Sequence, residues 1–185
     1  ERNSYIEIIK GNTGMLLQLV NDILDMSKIE AGTLEFIYTD VDVNRVMREL
    51  EGIFRLRLEG ADSPVKIHFE PQLPVCFIHT EKNRLSQVIS NFLSNALKYT
   101  SQGSITLGYE LRDNGMYFFV SDTGTGIPAD KKDKVFERFT KLDAKRQGTG
   151  LGLSISQTII KKLGGTIGVT SELGKGSTFW FTLPA

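Results

Sequence analysis

The chain has 185 residues, 40% of them hydrophobic and 24% charged, enough for one globular domain of ordinary size with an appended element. Lysine plus arginine and aspartate plus glutamate each number 22, so no global field draws in a polyanion, and a nucleic-acid partner is excluded at this level. Cys76 is the single cysteine and cannot form an internal disulfide, which fits a reducing compartment; no run reaches the roughly 20 apolar residues of a membrane span, and the first residues do not read as a signal peptide.

Residues 4 to 30 read as one long helix, because Ile9, Leu16, Leu19, Val20, Ile23 and Met26 recur at three- and four-residue steps and Ala31-Gly32 offers a stop. The stripe is that of one strand of a helical bundle and predicts a helix detached from the rest of the chain. From Thr33 onward the pattern becomes α+β. Strands are predicted at Leu34 to Tyr38, Val65 to Phe69, Val75 to Ile78, Ser104 to Leu111, Met116 to Ser121, Thr166 to Thr170 and Ser177 to Leu183. Helices are predicted at Val43 to Glu59, Lys82 to Lys98, Asp130 to Arg138 and Leu151 to Leu163. Cys76 falls in an apolar run and reads as a buried strand residue. Asp113-Asn114-Gly115 and Gly174-Lys175-Gly176 mark tight turns. The consecutive strands at 104 to 121 and 166 to 183 make antiparallel pairing dominant and exclude a doubly wound parallel fold.

Four segments carry chemistry. On a helical wheel, Arg84 to Tyr99 sorts Leu85, Val88, Ile89, Phe92, Leu93, Ala96 and Leu97 to one side, and Arg84, Gln87, Ser90, Asn91, Ser94, Asn95, Lys98 and Tyr99 to the other. Two carboxamides at i and i+4, with no carboxylate, suit a site already rich in negative charge. After the apolar run Tyr117 to Val120 comes Asp122-Thr123-Gly124-Thr125-Gly126-Ile127-Pro128: an acid that needs a donor, with glycines that let backbone approach something flat. Alone, this is equally a structural turn. Phe136 and Phe139 are placed to pin the base of the polar loop Thr140 to Gln147, where Lys141, Lys145 and Arg146 are the cations for a phosphate chain. Gly148-Thr149-Gly150-Leu151-Gly152 opens a helix, and unpaired amides there form an anion site. A dinucleotide fingerprint fails because position 155 is Ile, and a Walker A motif fails because Gly176 follows Gly174-Lys175.

In this order and spacing, NFLSNALKYT resembles the N box, DTGTGIP the G1 box, FERF the F box and GTGLGLSI the G2 box of sensor histidine kinases of two-component systems, which belong to the GHKL ATPase/kinase superfamily. Residues 15 to 31, MLLQLVNDILDMSKIEA, resemble the second helix of the dimerisation and histidine-phosphotransfer module. The resemblance implies two parts: 1–32 as that second helix, without its acceptor helix, and 33–185 as an ATP-binding catalytic domain. The implied fold is a two-layer α/β sandwich of gyrase type, with a mixed, mostly antiparallel sheet and helices on one face.

By the same resemblance, Asn95 would bind Mg²⁺ through its side-chain oxygen, with Asn91 along the phosphates of ATP and Lys98 neutralising their charge. Tyr99 would border adenine, Asp122 would accept from its amino group, and Gly124, Gly126 and Ile127 would shape the base pocket. Lys141 and Arg146 would belong to the lid, with Gly148, Thr149, Gly150, Leu151 and Gly152 closing over the triphosphate. The γ-phosphoryl group would pass to a histidine on an acceptor helix preceding this chain, and then to a response-regulator receiver domain. A homodimer through the first helix, and a cytoplasmic place in a membrane-anchored sensor, are further implications. His68 and His79 lack an acceptor's sequence context and read as structural; Glu81, where the family commonly has Asp, reads as a helix cap. A GHKL-type ATPase is the alternative enzyme, although Ser86 to Asn91 lacks the glutamate expected of it; a non-catalytic nucleotide-sensing or docking module is the alternative of another class.

Overall fold

Alternation of buried and half-buried residues along Gly115–Asp122 and Gly176–Leu183 gives two strands one apolar face each, and these become the centre of a sheet. The computed structural model describes residues 2–113, 115–140 and 149–184, with side chains apart from those of 2–12, 14 and 15. In chain order the elements are α1 (Arg2–Glu30), β1 (Thr39–Asp42), α2 (Val43–Gly60), β2 (Lys66–Phe69), β3 (Phe77–Thr80), α3 (Lys82–Tyr99), β4 (Ser104–Arg112), β5 (Gly115–Asp122), a 3-10 turn (Ala129–Lys134), α4 (Gly152–Lys162), β6 (Ile167–Glu172) and β7 (Gly176–Leu183).

Five strands form one sheet in the order β2-β4-β5-β7-β6, in which only β2 and β4 run parallel. β1 and β3 make a separate antiparallel pair, Thr39 opposite Thr80. Helices α2, α3 and α4 cover one face of the large sheet, and the core lies between the layers: Phe54, Leu85, Phe92, Ile105, Phe118, Ile155 and Phe181 are fully buried there. Phe92 of α3 meets Phe179 and Phe181 of β7 at ring-centroid distances of 5.4 and 6.0 Å. Each such ring stabilises the fold by about 2–3 kcal/mol through burial. Among the described residues no helix is long and apolar enough to cross a membrane.

Several sequence expectations are corrected. Leu34 to Tyr38 is not a strand: Leu34 is buried and Phe36 packs on the core, but no neighbouring strand offers a ladder, and pairing begins at Thr39. The strand expected from Val75 begins at Phe77, so Cys76 is buried just ahead of it rather than within it. The helix expected over Asp130 to Arg138 is a 3-10 turn ending at Lys134, and Phe139 takes a left-handed φ of 60°. The Phe139 side chain is 70% exposed instead of packing on the core, whereas the Phe136 ring lies 6.4 Å from that of Phe179; the loop expected between them and the glycine cluster lies mostly outside the described residues. Nor is α1 detached. Leu19, Met26 and Ile29 pack against the core, and Asp25 meets Arg84 at 3.2 Å while Glu30 pairs with Arg138.

Candidate functional site

Helix α3 is the wall of the site. Glu81 caps it, its carboxylate accepting the Arg84 amide, as its position in the sequence suggests. Burial of Leu85, Val88, Ile89, Phe92, Leu93 and Ala96 turns the carboxamides the other way. Asn91 Nδ2 donates to the Gly152 carbonyl and to Ser156 Oγ, both at 3.1 Å, tying α3 to the first turn of α4. One turn on, Asn95 is half-buried, and its side chain makes no hydrogen bond among the described residues. Lys98 Nζ lies 5.2 Å from the centre of the Tyr99 ring.

The acid turn closes on the end of the same helix. The Thr125 amide donates to the Tyr99 carbonyl at 3.1 Å, and a Cβ on Gly124 would stand 2.3 Å from that oxygen. Gly126, at φ +68°, would bring a Cβ within 2.1 Å of the Glu172 carbonyl. Both glycines therefore admit a close approach of the chain's own backbone. Asp122 is 6% exposed, and its Oδ1 accepts the Gly124 amide at 2.9 Å. Burial pushes its carboxyl above the ordinary carboxylate range, opposed by the Gly124 amide and the Ser177 backbone. Ile127 is a core residue whose amide donates to Ser171 Oγ at 2.8 Å, and Ser171 donates onward to the Gly176 carbonyl at 2.9 Å.

At the glycine cluster, Gly150 has φ +73° and lies so close to Phe139 that a Cβ would be 2.9 Å from its backbone; the Phe139 amide donates to the Gly150 carbonyl at 2.9 Å. Leu151 is buried in the core, its amide donating to Thr149 Oγ1 at 3.2 Å. Gly152 is different: among the described residues the nearest atoms a Cβ there would meet are those of the Asn91 carboxamide, at an ordinary 3.5 Å. Neither packing nor φ demands a glycine at that point, and the space spared faces the carboxamide wall. Lys141, Arg146 and Gly148 lie outside the described residues.

Chemically, one end offers a buried acceptor and the other offers amides and neutral oxygens. Among the described residues no three His, Cys, Asp or Glu side chains gather to hold a metal. A hard cation would rely on a carboxamide oxygen together with phosphate and water, and among the described residues nothing donates to that oxygen of Asn95. At the acid end, Thr100 Oγ1 is buried with no hydrogen-bond partner among the described residues. An orphaned hydroxyl beside Asp122 fits a polar ring edge. Sequence reading gave no role to Thr100, although it ends the segment NFLSNALKYT, and missed Ser171, which nothing distinguishes from an ordinary strand serine. His68 and His79 are exposed on strands, His79 Nδ1 lying 2.8 Å from Asp40 across the small sheet.

Residues 80–185 match the family of histidine kinase-, DNA gyrase B-, and HSP90-like ATPases. The chain is 35% identical over 192 residues to the aerobic respiration control sensor protein ArcB of Escherichia coli, covering all of this chain and 24% of that protein. It spans 10–24% of the length of the curated relatives first in similarity. Among solved structures it resembles full-length ShkA in complex with AMPPNP, with TM-score 0.81, 32% identity, and coverage of 99% of this chain and 40% of that one. It also resembles histidine kinase ThkA in complex with the response regulator TrrA, with TM-score 0.73, 25% identity, and coverage of 97% and 50%.

Proposed function

Because the chain belongs to the family of histidine kinase-, DNA gyrase B-, and HSP90-like ATPases, we propose that it binds Mg·ATP and transfers the γ-phosphoryl group to a histidine of a sensor kinase. The observation that carries this reading is the Thr125 amide on the Tyr99 carbonyl. It places the acid turn at the end of the helix that bears Asn91 and Asn95, so a base-reading acceptor and phosphate-side carboxamides share one wall.

In this reading Asp122 accepts from the adenine amino group, with Gly124, Gly126 and Ile127 forming the pocket and Tyr99 its border. Mg²⁺ would be held by Asn95 and would neutralise charge on the phosphates. Asn91 and Lys98 flank the phosphate chain, and Thr149, Gly150, Leu151 and Gly152 present the helix start to it, with Lys141, Arg146 and Gly148 on the covering loop. In the transfer, the bond from the γ-phosphorus to the β–γ bridging oxygen breaks and a bond to an imidazole nitrogen forms, with ADP as leaving group; positioning and charge neutralisation supply the catalysis. His68 and His79 are not the acceptors, which would lie on a separate helix. Residues 1–32 are the second helix of the dimerisation and phosphotransfer module and 33–185 the catalytic domain; a second copy through α1 and a receiver domain are the partners. The parent would be a membrane-anchored sensor with this part in the cytoplasm.

The test is incubation with γ-labelled ATP and a cognate acceptor-helix bundle. An acid-labile, base-stable label should appear on the bundle and vanish with Asn95→Ala; a bundle that stays unlabelled by the intact protein would overturn the transfer.

A further inference from the structure

Besides its apolar contacts, helix α1 meets the rest of the molecule through three carboxylates among the described residues. Two have cations: Asp25 lies 3.2 Å from Arg84 Nη1 and accepts from Gln87 Nε2 at 2.7 Å, and Glu30 pairs with Arg138. Asp22 is the buried one, 3% exposed, and its described partners are neutral: the Thr149 hydroxyl at 2.7 Å and Gln18 Nε2 at 2.8 Å. A carboxylate removed from water needs favourable charge around it as well as donors. Thr149 supplies the link, because the same hydroxyl that donates to Asp22 accepts the Leu151 amide at the mouth of α4. Asp22 is thereby fastened to the positive, glycine-opened end of an 11-residue helix.

We propose that Asp22 is a determinant of nucleotide affinity: its carboxylate and the polyphosphate of ATP draw on the same helix start, so each weakens the other. The inference rests on the proposed binding of a nucleotide at this wall. The coupling is reciprocal by linkage, so α1 docked at Thr149 lowers affinity for the triphosphate, and the triphosphate loosens α1 at Thr149. Its size follows phosphate charge and not the base, because the base acceptor, Asp122, belongs to a different turn at the other end of the wall. Asp25 is the internal control: it also fastens α1, but to Arg84 in the first turn of α3.

Calorimetry on the whole chain with adenosine, ADP and Mg·ATP tests this in the wild type, Asp22→Asn and Asp25→Asn. Asparagine keeps an acceptor for Thr149, and Asp22→Ser serves as a second variant without a charge. Asp22→Asn should bind Mg·ATP roughly fivefold more tightly, ADP less so, and adenosine unchanged; Asp25→Asn should keep the wild-type ratio of ATP to adenosine affinity. Equal affinity for ATP in the wild type and both Asp22 variants, or an equal gain for adenosine, would overturn the inference alone. A wild-type chain that takes up no adenine nucleotide would defeat the nucleotide reading itself, and this inference with it.

Discussion

The Asn91 side-chain nitrogen stands 3.1 Å from the Gly152 carbonyl oxygen and 3.1 Å from Ser156 Oγ, so one carboxamide joins the wall helix to the helix whose start receives phosphate in the proposed function. Among the described residues the Asn95 side chain, on the same helix, makes no such link.

Asn91→Ala should lower folding stability by about 1–2 kcal/mol, because it orphans partners at a helix–helix contact. Asn95→Ala should stay within about 0.5 kcal/mol of the wild type while binding ATP in the presence of Mg²⁺ at least roughly tenfold more weakly. Urea unfolding beside calorimetry separates the two; a matching loss of stability in both variants would refute the division.

Asp122 carries a pH signature. Burial raises its carboxyl above the unfolded value, so the folded state holds the proton more firmly. Stability from this group is therefore greatest below the unfolded value and declines as pH rises through the folded one. Its charge is a cost at neutral pH. Asp122→Asn should raise the melting midpoint at pH 7 by about 3 °C, a gain that disappears in acid, yet lose ATP binding roughly 100-fold. In the wild type, affinity for ATP should begin to fall on acidification at a pH above that of an ordinary carboxylate.

Thr100 holds a buried hydroxyl without a hydrogen-bond partner among the described residues. Thr100→Val preserves shape and removes an unsatisfied group, so stability should hold or rise by about 1 kcal/mol. If the hydroxyl serves the base, ATP affinity should nevertheless fall several-fold and be restored in Thr100→Ser. Unchanged affinity in the valine variant would make the hydroxyl a packing residue only.

The glycines divide in the same way. Gly126→Ala combines a left-handed φ with a Cβ 2.1 Å from the Glu172 carbonyl and should cost about 3 kcal/mol or more. Gly152→Ala meets only ordinary contact with Asn91 and should keep or gain about 0.5 kcal/mol in stability, with weaker binding of ATP as its readout.

The sequence made the long, strongly patterned elements legible. Helix α3 spans Lys82–Tyr99 where Lys82 to Lys98 is expected, and β4, β5 and β7 begin or end within a residue of their expected bounds, because each buries a clean face. What failed was whatever depends on a distant partner. Leu34 to Tyr38 has strand-like alternation but no neighbour, whereas Thr39 finds Thr80. The bond between Asp22 and Thr149 spans 127 residues, beyond any periodic signal. A glycine read as making room for a ligand equally makes room for a carbonyl of the same chain, as Gly124 and Gly126 do, whereas a Cβ at Gly152 would find the nearest described atoms at ordinary contact. Within the site, the carboxamides and the acid could be read from the chain, whereas the Thr100 hydroxyl emerged only from burial.

Strand β7 is made after every other strand yet lies inside the sheet, between β5 and β6. During synthesis at about 5–20 residues per second, β5 waits with one edge unpaired and β6 has no place to dock until residues beyond 176 emerge. The turn carrying Asp122 is braced by β7 through Ser177, so a nascent chain gains this corner only as its sheet becomes whole. In the proposed function, half-made copies would therefore be unable to sequester nucleotide.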